Sequence, residues 1–274
     1  MSDTYRERPP PPSLRSCVRC LWSYESESSD RPPERIAPDG CAELVLHLRQ
    51  PYEEYRDGAF EPQPAMLFAG QSTRPLILRA PGPSSCVGVR FHPHTPRRWT
   101  RQPMSRFTDR RVDARELQPE LQEIVACRSA LSTAEALQRL AACLEPRLES
   151  SDALPDERVA AEVEALESGA TPVPEAGEDA RQLQRLFLRD VGISRRTLRS
   201  VLRFRRVFDR ARAEDGYRWL IGGLDAGYFD QPQLAREFRR FLGCTATEWA
   251  ADQLGLARAI ASQTYKTGAA AGLD

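Results

Sequence analysis

Residues 227–243 read GYFDQPQLAREFRRFLG. Gly227 and Tyr228 turn the chain, and Asp230 offers a carboxylate to the free amides that open a helix. Gln233 stands three residues on, where its side chain reaches back to complete a capping box. Leu234, Phe238 and Phe241 share one face at steps of four and three, and Gly243 ends the helix. The other face carries Gln231, Gln233, Arg236 and Arg240. Glutamine matches the major-groove edge of adenine and arginine that of guanine, so these four side chains are the expected base-reading residues.

Upstream, the composition changes in the direction that such a helix needs. Eleven arginines fall between Arg181 and Arg212 against two acids, Asp190 and Asp209, although the whole chain balances 39 basic with 39 acidic residues. A neutral protein with one basic stripe can track phosphates locally, since each neutralised phosphate releases counterions. The stripe lies on two expected helices. One starts at Asp179 with Gln182 as its capping partner, turns Leu183, Leu186 and Phe187 inward and stops at Gly192. The other covers 194–213, with Leu198, Val201, Phe204, Phe208 and Ala211 on one face and Arg199, Arg203, Arg206 and Arg210 on another. Arg181, Gln182, Arg185, Arg189, Arg199, Arg203 and Arg206 are therefore expected to make mostly phosphate contacts.

The first half has a different texture. Short β-rich runs at 17–24, 41–48, 66–69, 76–79 and 86–91, separated by Pro, Gly, Ser and Asp, predict a small sandwich or barrel. From 116 to 149 apolar residues recur at helical steps, predicting two helices packed on the barrel or on a second copy. Asp39-Gly40 is a turn signal. Residues 1–13 are polar and Pro-rich, expected as a disordered tail, and no apolar run approaches the ~18 residues of a membrane span. A cytoplasmic location follows as an expectation, and the seven scattered cysteines are expected as reduced thiols.

With these residues in view, GYFDQPQLAREFRRFLG resembles the second helix-turn-helix of AraC-type regulators, and RQLQRLFLRDVGIS (181–194) resembles the recognition helix of the first. The resemblance implies an α+β chain: a β-barrel or sandwich with two helices at 14–150, then an all-α tandem helix-turn-helix domain at 155–256, then a flexible tail at 257–274. Helix 194–213 would join the two units, and at 1.5 Å per residue it spans roughly 30 Å, near the roughly 34–36 Å between successive major-groove faces. IAPDGCAELVLHL, FAGQSTRPLIL and VGVRFHPHT are similar to the cupin-like N-terminal domain of one AraC-type subgroup.

Three departures bear on the first unit and the second. The helix that props the first recognition helix in that family corresponds here to 173–178, about one turn short and holding Pro174 and Gly177. The second prop, WLIGGLDAG, carries Gly222 and Gly223, each costing about 1 kcal/mol relative to Ala, and Ala246 stands where Pro is usual. A degenerate first unit is the expectation.

The partners implied are duplex DNA, a small-molecule effector of unspecified identity and a second copy of the chain. Two other readings stay open: a degenerate relative acting through protein partners, and a small cupin-like metal enzyme with a DNA-binding tail. The latter would need His92 and His94, with Glu43 or His47 as the third ligand, but no histidine follows His94. Cys17 and Cys20 lack a second pair for zinc, and nucleophile-elbow, phosphate-loop and dinucleotide motifs do not occur. No catalytic residue, metal or cofactor is expected.

Overall fold

A computed structural model describes residues 3–29, 31–149, 153–170, 177–210, 223 and 226–251. The chain is α+β, with a β-rich first half and a helical remainder. The strands are β1 (Thr4–Arg8), β2 (Val18–Ser26), β3 (Glu34–Ile36), β4 (Glu43–His47), β5 (Glu53–Arg56), β6 (Ala59–Pro62), β7 (Met66–Ala69), β8 (Leu76–Arg79), β9 (Ser84–Phe91) and β10 (Arg111–Asp113). They form two antiparallel sheets in the orders β1-β2-β9-β4-β7-β10 and β3-β8-β5-β6.

The middle of the larger sheet is buried on both faces, so β9 has no exposed residue. Leu21, Leu44, Leu46, Val87, Val89 and Phe91 face the helices α1 (Arg97–Thr100), α2 (Ala114–Leu117), α3 (Gln122–Cys127) and α4 (Thr133–Glu149). The alternate residues Cys20, Trp22, Tyr24, Val45 and Cys86 face the smaller sheet with Tyr5, Tyr52 and Leu78. This alternation is the period of two that a pleated strand imposes. The Trp22 ring lies so close to Gly88 that a Cβ there would approach it to 2.2 Å, which closes the space between the sheets at that point.

Two expectations are corrected in this half. Residues 4–8, placed in a disordered tail, form β1 instead: Tyr5 pairs with Tyr24 across the ladder and is buried. The first of the two helices expected within 116–149 is broken into α2, a 3-10 turn over Pro119–Leu121, and α3. Pro119 supplies the reason, because it forces Gln118 into an extended conformation (φ −146°, ψ 95°) that a helix cannot pass through.

The second half contains α5 (Glu157–Ser168), α6 (Gly177–Asp190), α7 (Arg195–Arg210), α8 (Gln231–Leu242) and α9 (Ala246–Ala251). Their apolar residues form two separate cores that share one wall. Leu198 and Leu202 of α7 pack with Val159, Val163 and Leu166 of α5 and Leu183 and Phe187 of α6. Val201, Phe204, Val207 and Phe208 of the same helix pack with Leu234, Phe238, Phe241 and Trp249. The described part of α7 spans about 24 Å. Its expected end at 213, most of the WLIGGLDAG stretch, the 173–176 part of the shortened first prop, and the tail at 257–274 lie outside the described residues. Among the described residues no helix is long and apolar enough to cross a membrane.

Candidate nucleic-acid interface

The site is built around the start of α8. Asp230 caps the helix by accepting from the Gln233 amide at 2.7 Å, while Gln233 Oε1 accepts from the Phe229 amide at 3.1 Å. Gly243 closes the other end in the left-handed conformation that a side chain disfavours (φ +68°). Leu234, Phe238, Phe241 and Leu242 are buried, and Gln231, Arg236, Arg239 and Arg240 are exposed. Gln233 is half-buried, and its carbonyl is engaged in the cap, leaving its amide group to face outward contacts.

Alongside α8 runs the basic face of α7. Arg196, Arg199 and Arg203 of α7, with Gln233, Arg236 and Arg240 of α8, line one open cleft of about 410 Å³. Arg203 stacks its guanidinium over the Tyr228 ring at 4.4 Å. Burial pushes the Tyr228 phenol above its ordinary pKa, so it stays neutral. Glu237 is the acid within this cleft and lies 3.5 Å from Arg240. Arg240 also lies over Phe241 at 4.8 Å. Ser194 Oγ caps α7 by accepting from the Thr197 amide at 3.1 Å.

Beyond its exposed first turn, Gly177–Asp179, the exposed residues of α6 are Arg181, Gln182, Gln184 and Arg185. The helix opens at Gly177, so Asp179 is not its cap: it sits with Glu178 in the first turn, where a negative charge favours the helix dipole. The turn after α6 is as expected, with Gly192 at φ +96°.

Several arginines of the stripe are already committed inside the fold. Arg206 donates from Nη2 to the Leu166 and Glu167 carbonyls at 2.6 and 3.3 Å, closing the C-terminus of α5. Arg189 is paired through two bonds, 2.8 and 2.9 Å, with Asp190, which holds its pKa above the ordinary value. Arg195 pairs with Glu162 at 3.2 Å, and Arg205 is 0 % exposed. The stripe is therefore uneven: Arg189 and Arg206 are tied to groups within the fold, while Arg181, Arg185, Arg196 and Arg199 are presented to solvent. Arg196 and Arg239 were not singled out by sequence reasoning, although both belong to visible basic runs.

Asp190 is the joint that sequence reasoning missed. It is 0 % exposed and also accepts from Arg97 Nε at 2.6 Å and from the Asp156 amide at 3.1 Å. Two residues on from the α6 end, Thr108 Oγ1 donates to the Gly192 carbonyl at 2.6 Å, and a Cβ on Gly192 would meet the Met104 carbonyl at 2.9 Å. The β-rich half therefore grips the end of α6. It grips α8 too, since Arg35 Nη1 donates to the Leu242 carbonyl at 2.9 Å.

A third contact reaches α7. The turn at Asp39-Gly40 sets Gly40 (φ +82°) against Leu198 and Leu202, with each leucine 3.1 Å from where a Cβ would lie. Asp39 is held from behind by Arg90, whose Nε lies 3.0 Å from it and 2.7 Å from Glu43. Arg90 is 1 % exposed and also meets Glu7 at 2.9 Å; burial opposes its charge, but Glu43 and its other neighbours hold its pKa well above the ordinary value. The seven cysteines are free thiols. Among the described residues no group of three His, Cys, Asp or Glu is placed to hold a metal ion. His47 is buried beside Tyr52, whereas His92 stacks with His94 and reaches the Arg15 carbonyl at 3.2 Å.

Residues 6–113, under half of the chain, match a family described as a domain of unknown function (DUF6597). Similar solved structures are those of ToxT from Vibrio cholerae. ToxT of strain O395 is 8% identical with a TM-score of 0.45, over 86% of this chain and 99% of that one. A P21 crystal form of ToxT from Vibrio cholerae is 9% identical with a TM-score of 0.44, over 93% and 100%. An apo ToxT variant from strain SCE256 is 10% identical with a TM-score of 0.44, over 86% and 97%. No curated protein matches the chain.

Proposed function

We propose that the chain is a sequence-specific DNA-binding transcription regulator of the AraC type, working in the cytoplasm and without catalytic chemistry of its own. The observation that carries this reading is the shared cleft of α7 and α8, where arginines of one helix flank the glutamine and arginine tips of the other. In a major groove that arrangement joins phosphate neutralisation to base-edge hydrogen bonding. Gln231, Arg236 and Arg240 take the base contacts with the Gln233 amide group, and Arg199 with Arg203 takes phosphates. The first unit is the lesser reader: Arg181, Gln182 and Arg185 of α6 contribute mostly backbone contacts. The domain division at about 150–155 gives the β-rich half the regulatory part, because a ligand or a second copy bound there biases the DNA-bound state only through its grip on α6, α7 and α8.

Selection from random duplexes with the full chain tests this. A defined motif should emerge, and Gln231→Ala or Arg236→Ala should relax preference at individual positions by about 1–3 kcal/mol each. Recovery of no motif would overturn the proposal.

A further inference from the structure

Phe229 is 89 % exposed, far above the other exposed large apolar residues among those described, Leu154 at 51 % and Tyr55 at 46 %. It stands immediately before the cap of α8, and its backbone is not free to turn the ring inward. Its amide is bound to Gln233 Oε1, the next residue is fixed by the Asp230 cap, and the preceding Tyr228 is buried under Arg203. A rigid turn thus holds an aromatic ring in water at the end of the helix that carries Gln231 and Arg236.

Resting on the DNA-binding reading above, we propose that Phe229 is a specificity-determining residue that contacts the 5-methyl group of a thymine next to the bases read by α8. The first turn of a recognition helix is the part that meets base edges. Among the four bases, thymine alone presents a methyl group in the major groove, and an apolar side chain is what recognises it. Apart from Pro232, the exposed tips of α8 near Phe229 are polar or charged and discriminate through hydrogen bonds. Phe229 adds a large, projecting apolar contact that those tips lack.

The experiment uses the full chain and duplexes recovered by selection, each also made with uracil in place of single thymines. At one position uracil should weaken the wild-type protein about fourfold, the factor that burying one methyl group supplies. Phe229→Ala should bind the thymine duplex as weakly as the wild type binds the uracil duplex and should be indifferent to the exchange, with an unchanged melting temperature. Phe229→Leu should keep most of the discrimination. Uracil without effect at every position, or an equal loss for Phe229→Ala on both duplexes, would overturn the assignment in favour of a sugar, phosphate or protein contact. Failure of the wild type to bind any duplex overturns the underlying reading, and is seen before the variants are compared.

Discussion

Arg97 Nε lies 2.6 Å from Asp190 Oδ1, joining the first helix of the β-rich half to the last residue of α6. The stretch that would prop α6 in the usual way is short, yet the helix is held from elsewhere: by α5 along its apolar face and by Arg97, Thr108 and Met104 at its end. Arg97→Ala should cost about 1–2 kcal/mol of stability, less than a fully orphaned buried charge, because Arg189 and the Asp156 amide still satisfy Asp190. Footprinting should show the α6 half-site weakened and the α8 half-site kept. Equal loss at both half-sites would mean that the joint does not set the α6 angle.

The arginines separate into two classes by what they touch. Arg206→Ala removes the closure of α5 and should lower stability by about 1 kcal/mol while leaving the salt dependence of DNA binding unchanged. Arg199→Ala should do the reverse, reducing the slope of log affinity against log salt by about 1 with no change in melting. Chemical denaturation and salt titration of both variants check the pair. A reduced slope for Arg206→Ala would return that residue to the DNA face.

This division marks the limit of what the sequence carried. Helix α8 was legible because its signals are local: Asp230, Gln233 and Gly243 cap it whatever surrounds it. Strands β7 and β8 were legible for the same reason, being apolar runs between turn residues. Strand β1 was not, since Tyr5 becomes a core residue only by pairing with β2. Arg205 and Arg206 look like the rest of the stripe in sequence, and only the packing of α5 beside α7 turns them inward. Asp190 is one acid among eleven arginines until α1 and the α5 cap converge on it.

The contact of Gly40 with α7 predicts a second kind of loss. Gly40→Ala must hold a side chain at φ +82° and push Leu198 and Leu202 aside, a combined cost of about 2 kcal/mol. The disturbance falls on the wall shared by both helical cores, so hydrogen exchange should rise in α7 as well as in the turn. Exchange confined to residues near 40 would show that the turn and α7 are not coupled.

Acid sensitivity should come from the buried histidine of β4. Burial pushes the His47 pKa down to about 4, below the value near 6.5 of an unfolded chain. The unfolded state therefore binds the extra proton between pH 6.5 and 4, and stability falls as pH falls through that window. Between pH 7 and 5 the loss from this group is about 2 kcal/mol, and His92 and His94, also lowered to about 4 by burial, act in the same direction. In His47→Gln the difference in unfolding free energy between pH 7 and 5 should shrink; an unchanged difference would place the proton uptake elsewhere.

The most direct test of the DNA-binding account is a salt titration of the full chain on a duplex recovered by selection. Arg181, Arg185, Arg196, Arg199 and Arg203 are assigned to phosphates, and if four to five of them neutralise phosphates, log affinity should fall against log salt with a slope of about −4. A slope near zero, or no binding at low salt, would contradict the account.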